Sequence, residues 1–271
     1  MATKNMSRFS DESVSSACVP LADGAGGGLF HELFGCGFLS CAEEAPACDG
    51  ESPTNSDQAE ELLNDAELAE RQHNYPAASD FYKKALRLDP FNATAHNNFG
   101  YLCSTHTRDF ASAEHHYRQA IKCSPDYALA HNNLAYFLKK NKHDLAGAEE
   151  HYREAIRCDP EYAFAHSNLG VLLKSKRDFG GAEAHYLAAI RSNPRYAPAF
   201  LNYSLLLKSV DEQASREYLD RAVSIDSSLR ETPAARSLFR AFGAEAAEAK
   251  AAGDREPQHF PRFSTKPPPA V

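Results

Sequence analysis

Ala95-His96-Asn97-Asn98-Phe99-Gly100, Ala130-His131-Asn132-Asn133-Leu134-Ala135 and Ala165-His166-Ser167-Asn168-Leu169-Gly170 are three versions of one stretch. Counting outward from the last asparagine of each, Asn64, Asn98, Asn133, Asn168 and Asn202 stand 34, 35, 35 and 34 residues apart. One carboxamide therefore recurs at the same point of five successive units. A hydrophobic core by itself does not require that. A period of this length marks an array of small units, each burying its apolar face against the next.

Each unit reads as two helices. From Tyr162 to Pro194, Ala165, Leu169 and Leu172 or Leu173 follow at three- and four-residue steps. A polar turn, Lys174 to Asp178, leads to a second run with Ala182, Tyr186, Ala189 and Ile190. Such spacing places the apolar residues on one face of a 3.6-residue helix. Pro90, Pro125, Pro160 and Pro194 then end each pair, because proline lacks the N–H that would continue the helix. The helical character begins at Asp57, with Asp57 and Glu60 in capping-box spacing.

The fourth unit has His166-x2-Leu169-Gly170-x2-Leu173, Ala182-x3-Tyr186 and Pro194; the second has His96-x2-Phe99-Gly100-x2-Cys103, Ala113-x3-Tyr117 and Pro125. This spacing resembles the tetratricopeptide repeat family, with His in place of the first aromatic. The third unit keeps it with Ala135, Ala148-x3-Tyr152 and Pro160. The end units depart, the fifth having Ser204, Leu219, Ala222 and Ser227, as terminal repeats facing water do. The resemblance implies an all-α right-handed solenoid of five helix hairpins. Gly100 and Gly170, or Ala135, should let the paired helices approach, with Tyr117, Tyr152 and Tyr186 filling the seam. Thr232-Pro233 opens a capping helix with Leu238, Phe239 and Phe242 on its apolar face.

In that family the first helix of each pair lines the concave face, which would place the five asparagines on a groove floor. The row is similar to the asparagine ladder in the tetratricopeptide superhelix of O-linked N-acetylglucosamine transferase. An amide offers a donor and an acceptor, so it can hold the backbone of an extended peptide without reading its side chains. Residues three after or four before each asparagine share its helix face. They include Glu60, Glu67, Tyr101, Tyr136, Phe164, Val171 and Leu205, so the groove should run from acidic to apolar. The expected peptide-binding set is Asn64, Asn98, Asn133, Asn168, Asn202, Tyr101, Tyr136, Phe164, Val171 and Leu205. A chaperone-tail carboxylate clamp is disfavoured, since Leu129 and Asn133, or Phe164 and Asn168, stand where its Lys and Arg belong.

Two histidine rows, His96, His131, His166 and His116, His151, His185, invite a metal reading. Repetition argues against it, because a catalytic or metal centre gathers unlike groups at one place. There is no HExxH, nucleophile elbow or Walker sequence. The expectation is a non-enzyme without metal or cofactor. Net charge is −8, and the first 56 residues carry two Lys/Arg against eight Asp/Glu, so nucleic acid is an unsuitable partner. Seven cysteines without a CxxC pair point to reduced thiols in the cytoplasm, the nucleus not excluded.

The expected organisation is an acidic tail at 1–56, repeats at 57–230, a capping helix at 231–253 and a proline-rich tail at 254–271. An apolar island, Leu29 to Leu39, interrupts the first tail; at this length it does not span a bilayer. The chain is thus expected to be an adaptor or scaffold holding an extended segment of a protein partner, with apolar residues, in a concave groove. The alternative is a targeting or assembly subunit acting through its convex surface and the island. Membrane association through residues 29–41 is the weaker expectation.

Overall fold

The computed structural model describes residues 54–251, with side chains through Gly243; the apolar island, residues 29–41 and the proline-rich tail lie outside the described residues. The helices are α1 (Asn55–Arg71), α2 (Tyr75–Leu88), α3 (Ala93–Leu102), α4 (Phe110–Cys123), α5 (Ala128–Phe137), α6 (Leu145–Cys158), α7 (Ala163–Ser175), α8 (Phe179–Ser192), α9 (Ala197–Leu207), α10 (Glu212–Ile225) and α11 (Pro233–Ala251). Successive helices pair antiparallel into five hairpins, α1/α2 to α9/α10, and α11 follows as the sixth layer.

Local chemistry sets the boundaries. Asn74, Asp109, Asp144, Asp178 and Asp211 each accept a hydrogen bond from the backbone N–H three residues on, so every second helix starts on a side-chain cap. In the first four hairpins the residue before the cap is left-handed: His73, Arg108, His143 and Arg177, with φ of 59°, 55°, 56° and 64°. That conformation reverses the chain and closes the preceding helix. Asp89, Ser124, Asp159 and Asn193 are extended, as residues before proline must be. At the amino end the structure corrects the expected cap. Thr54, not Asp57, caps α1, and the reciprocal partner is Asp57, while Glu60 is simply exposed.

In the second and fourth hairpins the seam is built on an absent side chain. A Cβ on Gly100 would lie 3.0 Å from a Tyr117 ring carbon, and one on Gly170 2.7 Å from the Tyr186 ring. Tyr82, Tyr117, Tyr152 and Tyr186 are accordingly buried against alanines of their own hairpin. The fifth hairpin uses other chemistry at the same place. Ser204 Oγ donates to the Ser215 carbonyl at 2.6 Å and Ser215 Oγ returns a bond to the Ser204 carbonyl at 2.8 Å, with Leu219 where the tyrosine stood. Thr232 caps α11 as expected, and Leu238 and Phe242 close the core on Phe200, Leu201 and Leu219.

The first helices of successive hairpins pack on one another, α3 on α5, α5 on α7 and α7 on α9, whereas α4, α6 and α8 do not closely pack among themselves. Layers that are tighter on one side stack into a curve. The first helices line its inner face.

Candidate peptide-binding surface

On this inner face the structure separates the expected site residues into two groups. The asparagines are mostly not available to a ligand. Asn133, Asn168 and Asn202 are 2%, 6% and 0% exposed, Asn98 is half-buried and Asn64 alone is exposed. The amides of Asn98, Asn133 and Asn168 are engaged in a chain that crosses hairpins. Asn168 Nδ2 donates to Asn132 Oδ1 at 3.0 Å, Asn132 Nδ2 to Asn133 Oδ1 at 3.4 Å, Asn133 Nδ2 to Asn97 Oδ1 at 2.9 Å, and Asn97 Nδ2 to Asn98 Oδ1 at 3.0 Å. The expected ladder is therefore corrected at its centre: the donors of Asn133 and Asn168 join the first helices to each other.

The doubled asparagines, Asn97-Asn98 and Asn132-Asn133, carry this chain, because adjacent residues can hand a bond from one amide to the next and then across the layer. A buried amide must be paired to offset its desolvation, and each of these pairs offsets two. In the fourth hairpin Ser167 replaces the first asparagine, and its buried hydroxyl has no hydrogen-bond partner. The sequence signal for this arrangement was the doubling itself, which looks dispensable when only residues present in all five units are kept.

The apolar members differ as well. Val171 is 4% exposed and belongs to the core, so it is not part of the groove floor. Phe164 is half-buried against Tyr196 and Tyr162, with ring centroids 4.5 and 5.7 Å away, and Leu205 is half-buried on the last core cluster. Tyr101 and Tyr136 are brought together. They line a cleft of ≈ 350 Å³ between α3 and α5, with Asn133 at its base and Phe110 and Phe137 on one side. Phe110 was not among the sequence candidates. It follows the cap of α4, and Leu145 and Phe179 repeat its place, the three being 39%, 40% and 53% exposed.

The two histidine rows meet. Nδ1 of His96, His131 and His166 lies 3.0, 3.2 and 3.0 Å from Nδ1 of His116, His151 and His185. The Nε2 of each first-helix histidine reaches the carbonyl of Pro90, Pro125 or Pro160. A carbonyl can only accept, so Nε2 carries a proton, and of the two facing Nδ1 atoms in each pair one donates to the other. Each pair ties its two helices to the proline turn. Burial holds His116 down at about 4, with His96 and His115 adding repulsion, and lowers His151 and His185 as well. No group of three or more metal-ligating side chains occurs among the described residues. Nor is any described helix long and apolar enough to cross a membrane.

Known proteins resemble this chain in its fold. A tetratricopeptide repeat model matches residues 116–150. No curated protein matches. The solved structure of PilW, a widely conserved type IV pilus biogenesis factor, is 23% identical with a TM-score of 0.58, over 71% of this chain and 92% of that one. PilF of Pseudomonas aeruginosa is 21% identical with a TM-score of 0.57, over 74% and 95%. A thermophilic TPR protein of Thermus thermophilus, TTC0263, is 18% identical with a TM-score of 0.51, over 70% and 99%. The match at one repeat, the five hairpins and these shared folds make the architecture an all-α solenoid of tetratricopeptide-type hairpins.

Proposed function

We propose that the chain is a non-enzymatic adaptor that holds an extended, apolar-bearing segment of a protein partner along the inner face of its solenoid. The observation that carries this reading is the α3/α5 cleft, where Tyr101, Tyr136 and Phe110 present aromatic surface that the fold leaves partly open. Aromatic side chains bring large contact area at small entropic cost and dominate binding energies. Beyond the cleft, Phe164 and Leu205 offer apolar surface further along the same face, while Asn98 and Asn64 remain the accessible amides. Free Cys103, Cys123 and Cys158 fit a reducing, cytoplasmic setting.

Selection of binders to the full chain from a displayed random-peptide library tests the reading. Peptides so selected are expected to lose at least about tenfold in affinity, ~1.4 kcal/mol, when Tyr101 and Tyr136 are both replaced by Ala, with helicity retained. Binding that is indifferent to alanine at Tyr101, Tyr136, Phe164 and Leu205 alike would overturn it.

A further inference from the structure

The repeat spacing is uneven, and the unevenness has a structural seat. From each repeated asparagine to the cap of the next helix there are ten residues in the first and fourth units (Asn64 to Asn74, Asn168 to Asp178) but eleven in the second and third (Asn98 to Asp109, Asn133 to Asp144). The extra residue is absorbed as a π-helical turn, Cys103–Thr107 after α3 and Leu138–Lys142 after α5. Such turns are rare and cluster at functional sites, because they re-aim the side chains around them. Both turns open on the cleft already described: Ser104 and Thr105 come from one, Lys140 and Asn141 from the other, and Arg108 stands just past the first.

The charges at this mouth are cationic and uncompensated. Lys140 lies over the Tyr136 ring, its Nζ 5.4 Å from the centroid. Among the described residues neither Arg108 nor Lys140 has a carboxylate partner, whereas the nearby Lys142 is paired with Glu114 at 3.2 Å. Aromatic walls take an apolar side chain, and two free cations at the rim take an anion beside it. At ≈ 350 Å³ the cleft is near the small end of ligand pockets (~300 Å³ upward), the scale of a side chain.

We propose that the two 35-residue units form a specificity pocket for one bulky aromatic or aliphatic side chain of the bound segment together with a carboxylate next to it in sequence. The pocket rests on the inner-face reading above and gives it a preferred register. The π-turns supply what the 34-residue units lack: a widened end to the first helix, with polar and cationic groups turned towards its neighbour.

The probes are labelled Gly/Ser peptides of about eleven residues, long enough to cross three hairpins at ~3.3 Å per residue, carrying a central Phe flanked by Glu, Gln or Lys, or a central Ala flanked by Glu. Fluorescence anisotropy with the full chain should rank the Glu-flanked Phe peptide about fivefold tighter than the Gln form, with the Lys form weakest, an order that added salt compresses. The Ala-centred peptide should bind about tenfold more weakly. Arg108→Gln combined with Lys140→Gln should abolish the Glu preference and keep the Phe preference; both sites are exposed, so folding is not at stake. Tyr136→Ala should do the reverse. A Glu preference that survives the double substitution, or equal binding of the Phe and Ala peptides, overturns the pocket. If Phe164→Ala and Leu205→Ala weaken binding while Tyr101→Ala and Tyr136→Ala do not, the pocket fails and the inner-face reading stands. Indifference to all four removes both.

Discussion

Asn133 donates from Nδ2 to Oδ1 of Asn97 at 2.9 Å, so the residue that repeats most faithfully is tied to the neighbour that repeats less faithfully, one hairpin earlier. Removing either partner strands a buried amide. Asn97→Ala should cost about 1–3 kcal/mol in urea unfolding, and a double-mutant cycle with Asn133→Ala should show strong coupling. Ser167→Ala is the control: its hydroxyl is buried without a partner, so the change should be neutral or slightly stabilising. Equal losses at Asn97 and Ser167 would contradict the amide chain.

The histidine pairs predict acid sensitivity. An unfolded histidine titrates near 6.5, whereas His116 in the fold is held at about 4, so between those values the unfolded chain binds more protons and stability falls as pH falls. The shift corresponds to ~3 kcal/mol at most, fully lost only below the folded value. Unfolding curves for wild type and His116→Phe, taken between pH 7.5 and 4, should differ in slope, the variant losing less stability. A parallel pair of slopes would reject the assignment.

Glu149 titrates in a lower window. Its carboxylate receives Lys176 at 2.5 Å, which links α6 to the turn after α7, and Arg153 of its own helix at 2.6 Å, and the two hold its pKa below the ordinary range. A depressed carboxylate stabilises above its unfolded value and loses that contribution as pH falls through the folded one. Since both cations are about half exposed or more, Glu149→Gln should cost about 0.5–1 kcal/mol at pH 7, and the difference from wild type should vanish towards pH 3.

Two glycines at equivalent positions should respond differently to alanine. At Gly100 the nearest contacts of a new Cβ are 3.0–3.2 Å, and Ala135 occupies the same place beside Tyr152 in the third hairpin. The loss of helix-interior glycine there offsets the crowding, and Gly100→Ala should lie within about 0.5 kcal/mol of wild type. Gly170→Ala must displace the Tyr186 ring from 2.7 Å and should cost about 1–2 kcal/mol in thermal or urea unfolding.

The fold was legible because it is written in local signals that recur. Proline after each second helix, a capping Asp or Asn before it, and small residues at fixed steps each act through the backbone within a few residues, and repetition removes ambiguity about any one of them. The capping helix from Thr232-Pro233 was readable for the same reason. The groove was only half legible. Helical spacing correctly put Tyr101 and Tyr136 on one face, but it also put Val171 and the buried asparagines there.

Sequence by itself determined the hairpins, their number, their order and which helix carries which residue, since those depend on propensity, capping and period. Tertiary structure alone decided which members of the shared face are spent. Whether Asn133 meets a ligand or Asn97 depends on how far one hairpin is rotated against the next. That rotation is fixed by packing between layers, and no spacing within a layer encodes it. The eleven-residue interval in the second and third units lies between the two cases: it is visible in the sequence, and the packed layers give it a cleft.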